Sequence, residues 1–238
     1  MNTVAIVLAA GQGKRMGSKV AKQYLLLKER PVLYYTLKAF EDSLINSVIL
    51  VTKEGEEDYC RKEIIEAYGL KKIVAIVSGG RERYHSVFRG LEAVSKNIPE
   101  CEYVFIHDGA RPFLTNEIIS RIYEEVKRFK ACVAGMPVKD TIKIADAEGY
   151  AKTTPERSLV WTVQTPQAFS FSIIRKAYEQ LMKNEDCLKE KGIVITDDAM
   201  VVETFTEKKV KLVEGAYENI KITTPEDLKI AEALLGEK

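Results

Sequence analysis

A-I-V-L-A-A-G-Q-G-K-R-M-G-S-K-V-A-K-Q-Y, from Ala5 to Tyr24, is an apolar run that stops at Gly11 and opens into a glycine-rich, basic loop. The run is continuously apolar rather than alternating, the pattern of a strand buried on both faces of a parallel sheet. In the loop, Gly11, Gly13 and Gly17 have no Cβ, so backbone amides can come close to a ligand. Lys14, Arg15, Lys19 and Lys22 put cations among those amides. Amide donors and cations in one loop form a concavity suited to phosphate. The same residues also suit an ordinary strand-to-helix turn whose lysines are solvated.

Spacing excludes two familiar phosphate loops. A P-loop needs a second glycine five residues after the first, followed by Lys and Ser or Thr, and that position is Met16. The dinucleotide fingerprint needs its third glycine at the same place, and Gly17 comes one residue late. What remains is a long basic loop, open enough to wrap a triphosphate. It resembles the signature loop of the sugar-nucleotide pyrophosphorylases, which join a nucleoside triphosphate to a phosphorylated substrate.

Outward from this stretch, strands alternate with helices. Thr3 to Ala10 is the first strand, and Pro31 suits the first turn of a helix with Leu33, Leu37 and Phe40 on one side. S-V-I-L-V-T from Ser47 is a second strand, and residues 56–68 read as a helix that Gly69 can end in a left-handed cap. K-I-V-A-I-V from Lys72 is a third strand, running into Gly79 and Gly80 and then a helix with Val87, Leu91 and Val94. Y-V-F-I-H-D-G-A-R-P is a strand that delivers His107, Asp108 and Arg111 to its carboxyl end. Thr115 begins a helix with Ile118, Ile119, Ile122 and Val126 as its buried stripe, and residues 130–138 form another buried strand. This alternation predicts an α/β fold with a Rossmann-like, doubly wound, mostly parallel twisted sheet, which places ligands at the carboxyl ends of its strands.

Beyond Pro137 the pattern changes. V-K-D-T-I-K-I-A-D-A-E-G-Y-A-K-T-T-P alternates polar and apolar around a turn signal at residues 146–149, the pattern of a β-hairpin arm over about 138–158. Such a hairpin is marginal alone and needs a surface to pack on. A helix then carries Ile173, Ala177 and Leu181, Thr196 suits the N-cap of a short helix, and N-I-K-I-T from Asn219 alternates like a strand. In T-P-E-D, Thr224 reads as N-cap, Pro225 as the first helical position and Asp227 as the return partner of a capping box. With no internal repeat and no low-complexity linker, residues 1–238 read as one domain with an arm.

At 46% hydrophobic and 30% charged, 238 residues can bury a sizeable core. A net charge of +1 gives no electrostatic footprint for nucleic acid or an anionic membrane, so a bound polyanion should be small and held by local charge. Cys60, Cys101, Cys132 and Cys187 are far apart with no C-x-x-C, which suggests neither a disulfide scaffold nor a zinc site. The amino-terminal residues lack the basic flank of a signal peptide, and the expected setting is a reducing cytoplasm. Asp108, at the carboxyl end of a strand, suits a magnesium ligand that shares phosphate oxygens, and equally a turn cap paired with Arg111. His107 reads as structural.

A-A-G-Q-G-K-R-M, K-Q-Y, G-G-R-E-R, H-D-G-A-R-P, D-T-I-K, T-P-Q, I-T-D-D-A and N-I-K-I-T-T-P-E-D, in this order and spacing, resemble the bacterial 2-C-methyl-D-erythritol 4-phosphate cytidylyltransferases along the whole chain. The resemblance implies the nucleotide-diphospho-sugar transferase type of fold and transfer of CMP from CTP to methylerythritol phosphate, with Mg²⁺ as cofactor. It implies that Arg15 and Lys22 stabilise the transition state, where a fixed Arg and Lys meet charge as it develops. It gives Thr141, Arg157, Lys221 and Thr165 to positioning the acceptor, with Thr141 and Arg157 reaching over from the arm of a partner in a homodimer. Nucleotide binding falls to Ala9, Ala10, Gly11, Gly13, Gly80, Arg81, Ser86, Gly109 and Ala110, and the metal region to Asp108. Two departures stand out: Ala21 replaces the proline usual before K-Q-Y, and Arg81 stands where some members carry an acid. A ribitol 5-phosphate cytidylyltransferase shares the loop and much of the ending, while H-D-G-A-R-P and T-P-E-D favour methylerythritol phosphate. A CTP-binding regulator without catalysis would have no need of transition-state charges at Arg15 and Lys22.

Overall fold

In a computed structural model of the protein, residues 2–11 and 20–236 are described. Gly13, Arg15 and the other loop residues between them lie outside the described residues. The first strand, β1 (Asn2–Ala9), explains its own composition: Val4 and Ile6 join one hydrophobic cluster and Ala5 and Val7 the other. Successive side chains of a strand point to opposite faces, so a strand covered on both faces must be apolar throughout.

The chain continues through a tiny hairpin, β2 (Leu26–Leu27) and β3 (Arg30–Pro31), into α1 (Val32–Glu41), with Pro31 at the N-cap. Next come β4 (Ser47–Thr52), α2 (Glu57–Tyr59) and β5 (Ile73–Ser78). The helix expected over 56–68 is α-helical only at its start, because Cys60–Glu66 widens into a π-helical stretch before Gly69 turns the chain at φ +62°. Then follow α3 (Arg83–Asn97), β6 (Cys101–Asp108), α4 (Asn116–Phe129) and β7 (Ala131–Pro137). The Thr115 hydroxyl accepts from the Ile118 amide and caps α4, whose four expected stripe residues are all buried.

Among the described residues the main sheet has seven strands, and two of them were not legible as such. β10 (Trp161–Ser170) runs through Q-T-P-Q and pairs antiparallel with both β6 and β7. Another, β11 (Lys211–Glu214), pairs parallel with β7 and also carried no sequence expectation. The order is β11-β7-β10-β6-β1-β4-β5, with every pairing parallel except those of β10. Helix α3, together with α5 (Phe171–Glu190) and α6 (Asp198–Phe205), covers one face, while α1, the π-helical stretch and α4 cover the other.

Two expectations are corrected. Asn219 to Thr223 pairs in no strand: the Ile222 amide donates to the Ala110 carbonyl and Asn219 is buried, so the segment is tied to the loop after β6 instead. Its alternation reflects Ile222 joining a small cluster with Leu27, Val32 and Phe113. The N-cap of α6 is Asp197 rather than Thr196, because the Asp197 carboxylate accepts from the Met200 amide at 2.9 Å. The last helix, α7 (Pro225–Gly236), begins as read, with Asp227 Oδ2 accepting from the amides of Thr224 (2.9 Å) and Thr223 (2.8 Å).

The arm forms as expected, from β8 (Ile144–Ala145) and β9 (Ala151–Thr153), turned by Asp146 and by Gly149 at φ +89°. Its apolar side chains lie open, with Ile144 50% and Tyr150 72% exposed. Among the described residues, no helix is long and apolar enough to cross a membrane.

Ala21 has φ −64°, the value that proline fixes, and its carbonyl accepts from the Tyr24 amide. Ala21→Pro should therefore raise stability by about 0.4–1 kcal/mol through the unfolded chain. Urea unfolding of the two proteins measures this, and a lowered midpoint would contradict it.

Candidate active site

The topology dictates where the site lies. From β1 the chain builds outward to β4 and β5, then returns to lay β6 on the other side of β1. This reversal opens a crevice between neighbouring strand ends, where doubly wound sheets bind ligands. A cleft of about 900 Å³ occupies it, walled by Ala9, Ala10 and Gly11 after β1, Lys53 and Glu54 after β4, Gly79 to Arg83 after β5, and Asp108 and Ala110 after β6. Lys22, Ser86 and Lys221 also line it.

Each wall residue is held locally. The segment carrying Lys22 is pinned by its neighbours: Gln23 Nε2 donates to the Ala9 carbonyl at 2.5 Å, and the Tyr24 hydroxyl bonds to Glu56 (2.8 Å) and Thr52 (3.0 Å). Gly79 and Gly80 sit so close to their surroundings that a Cβ on the first would run into Ala10 and Ser86, and on the second into His85. The Gly80 amide donates to Ser86 Oγ at 3.0 Å, which fastens the loop to the first turn of α3. Arg81 is exposed at the cleft wall.

Asp108 forms the charged floor. Lys221 Nζ lies 2.9 Å from Oδ2, Arg111 Nε 3.5 Å from Oδ2, and Arg83 Nε 3.6 Å from Oδ1. Burial alone would push this carboxyl up, but Lys221, Arg83 and Arg111 together outweigh it and hold it far below the usual carboxylate range. Pairing with Arg111 is thus present, and so is the placement at the cleft that a metal ligand needs.

Behind the floor, Thr165 Oγ1 accepts from the Asp108 amide at 3.1 Å and lies 3.0 Å from His107 Nδ1. The hydroxyl proton then serves Nδ1, leaving the imidazole proton on Nε2, 3.4 Å from the Arg111 carbonyl. His107 is fully buried, and burial pushes its pKa down to about 3, so it is a neutral support. Thr165 is buried beneath Asp108. Gly109 is held there too, its amide donating to the Leu8 carbonyl at 2.9 Å.

Not every expected site residue meets in this cleft. Thr141 and Arg157 sit exposed at the base of the arm, where Arg157 Nη1 donates to the Lys139 carbonyl at 3.3 Å, and neither belongs to the described wall. Sequence reasoning also missed Arg83, which lines the cleft, and its partner Asp198. An arginine within G-G-R-E-R carries no local sign that its partner lies in I-T-D-D-A.

A doubly wound sheet with a glycine-walled, cation-rich cleft at its switch point has the form of a nucleotidyltransferase. The profile of the IspD family, 2-C-methyl-D-erythritol 4-phosphate cytidylyltransferase, matches residues 3–237. The chain belongs to this family and is a cytidylyltransferase. A protein of that name from Lachnoclostridium phytofermentans is 51% identical over 233 residues, 98% of this chain and 96% of the relative. One from Alkaliphilus metalliredigens is 47% identical over 98% of this chain and 92% of its own. Among solved structures, the 4-diphosphocytidyl-2C-methyl-D-erythritol synthase of Anaerococcus prevotii is similar with a TM-score of 0.84 at 36% identity, covering 99% of this chain and 96% of that one. The cytidylyltransferase of Thermus thermophilus gives 0.74 at 32% identity, covering 97% and 98%.

His107 supplies a pH dependence. Between its ordinary value near 6.5 and about 3, the unfolded chain binds a proton that folded His107 refuses. Stability should therefore drop as pH is lowered from about 6.5 toward about 3, by about 1.4 kcal/mol per pH unit from this group. His107→Gln should flatten the slope in pH-dependent urea unfolding, and an unchanged slope would mean His107 is protonated when folded.

Proposed function

We propose that this cleft transfers CMP from CTP to 2-C-methyl-D-erythritol 4-phosphate, releasing pyrophosphate and forming 4-diphosphocytidyl-2-C-methyl-D-erythritol. The observation that carries the reading is the gathering of Lys22, Lys221 and Asp108 around one glycine-walled cleft at the switch point. An acceptor phosphate oxygen attacks the α-phosphorus in line. As the new P–O bond forms, the bond to the bridging oxygen breaks, and pyrophosphate leaves with its electron pair. Negative charge spreads over the equatorial and leaving oxygens, where Arg15 and Lys22 are assigned by family resemblance. Gly80, Arg81 and Ser86 take the cytosine and ribose, with Ala9, Ala10, Gly11, Gly13, Gly109 and Ala110 along the nucleotide. Lys221 takes the acceptor phosphate, and Thr165 steadies the floor beneath it.

The floor suits Mg²⁺. Asp108 stays ionised and lines the cleft, and among the described cations only Lys221 lies within 3 Å of it. Among the described residues no group of three His, Cys, Asp or Glu side chains could hold a metal, so the ion would come with phosphate oxygens and Asp108 as its protein ligand. When bound, Mg²⁺ would neutralise charge on those oxygens. The unpaired thiols support a reducing cytoplasm.

The direct test is pyrophosphate release with CTP and each of methylerythritol phosphate and ribitol 5-phosphate, before and after chelation. Arg15→Ala or Lys22→Ala should lower kcat by about a hundredfold or more, with a smaller loss in CTP binding. If kcat held and only KM for CTP rose, the transition-state role would be wrong.

The exposed arm supports a homodimer with shared sites, in which Thr141 and Arg157 serve the partner's cleft. A two-fold pairing would cover Ile144 and Tyr150 and let a guanidinium grip the acceptor phosphate with two hydrogen bonds. Mixing inactive Arg15→Ala with inactive Arg157→Ala subunits should restore activity, since one site per heterodimer then carries neither lesion. A mixture that stays inactive after proven subunit exchange rules sharing out.

A further inference from the structure

Q-T-P-Q and I-T-D-D-A converge beneath the cleft although most of their residues have no part in the reaction above. The buried Gln167 side chain accepts at Oε1 from the amides of Asp198 (3.0 Å) and Ala199 (2.9 Å), and its Nε2 donates to Asp197 Oδ2 at 3.0 Å. These bonds fix the first turn of α6 against β10. Asp198, fully buried there, receives both terminal nitrogens of Arg83, Nη1 to Oδ1 at 2.8 Å and Nη2 to Oδ2 at 2.7 Å. The Tyr178 hydroxyl donates to Oδ1 at 2.5 Å. Arg83 thus spans two carboxylates, with Nε toward Asp108.

A planar guanidinium gripped at both terminal nitrogens cannot swing, whereas a lysine would pivot. A buried ion pair is a poor route to stability, because apolar residues of the same volume serve as well or better. Its value here is directional. Lys221, assigned above to the acceptor phosphate, would divide its three donors between Asp108 and that phosphate. Arg83 keeps its place whichever partner Lys221 takes.

We propose that Asp198, set by Gln167 and Tyr178, is a positioning residue that locks Arg83, and through it the Asp108 carboxylate, in the geometry that cytidylyl transfer requires. This rests on the reading of the cleft given above. Asp198→Asn keeps the size and an acceptor for Tyr178 but removes the charge. Because breaking a buried pair can unfold a protein, Arg83→Lys, which keeps the cation and loses the fork, is measured beside it. Activity is normalised to CTP-binding sites counted by calorimetry. Each variant should lose about 10- to 100-fold in kcat, the scale for partners that orient an active carboxylate. KM for CTP should stay within about threefold, and the double variant should be no more than about threefold worse than the worse single one, as for groups acting as a unit. A kcat per binding site within about threefold of wild type in a folded single variant, or losses that multiply in the double, overturns the positioning role. If Asp198→Asn does not fold, Arg83→Lys decides alone by the same kcat criterion. Absence of pyrophosphate release by the wild-type protein would instead overturn the reading of the cleft.

Discussion

A carboxylate buried among three cations organises this molecule. Asp108 ends β6, and its partners arrive from three other stretches: Arg83 from the start of α3, Arg111 from the loop beyond Gly109, and Lys221 from the segment before α7. None of these would stay in a partly desolvated cleft unpaired, since an isolated buried charge costs several kcal/mol. With Asp198 included, three cations face two carboxylates, and the cluster keeps a residual positive charge. That suits a site for a small polyanion in a chain whose overall charge is only +1. The cluster also ties the sheet's switch point to helices on one face and to the carboxyl-terminal segment.

The rest of the architecture keeps that cluster in place. Two hydrophobic layers clamp the sheet, so the strand ends that wall the cleft are fixed by close packing. Thr165 and neutral His107 stiffen the floor from below, and the antiparallel β10 brings Thr165, Gln164 and Gln167 to its edge. Asn219 ties the carboxyl-terminal segment to this strand through the Thr165 carbonyl at 2.9 Å, while Arg111 Nη1 donates to the Asn219 carbonyl at 2.7 Å. A buried polar network of this kind specifies one arrangement of segments more than it adds stability.

The exposed arm stands apart from this economy. Its hydrogen bonds are local and its apolar side chains Ile144 and Tyr150 are exposed. Thr141 and Arg157 lie at its base, outside the described wall of the cleft.

Local physics made much of this legible in sequence. Apolar runs at Thr3, Ser47 and Lys72 announced parallel strands, the stripe after Thr115 announced α4, and Asp227 announced its capping box. The glycines before Arg81 and Gly11 after β1 marked the cleft, because both depend on residue type within a few positions. Tertiary structure alone decided what depends on distant partners. Asn219 to Thr223 alternates like a strand, but it pairs in no sheet, and its Ile222 amide donates to the Ala110 carbonyl instead. β10 could not be read through Q-T-P-Q, because its pairing is set by β6 and β7 on either side. Arg83 and Asp198 lie far apart in the chain, and only the folding of α6 onto β10 brings a buried carboxylate to the guanidinium. Periodicity and caps are properties of neighbours in sequence. Ion pairs across the sheet are properties of neighbours in space, and only the packed fold defines them.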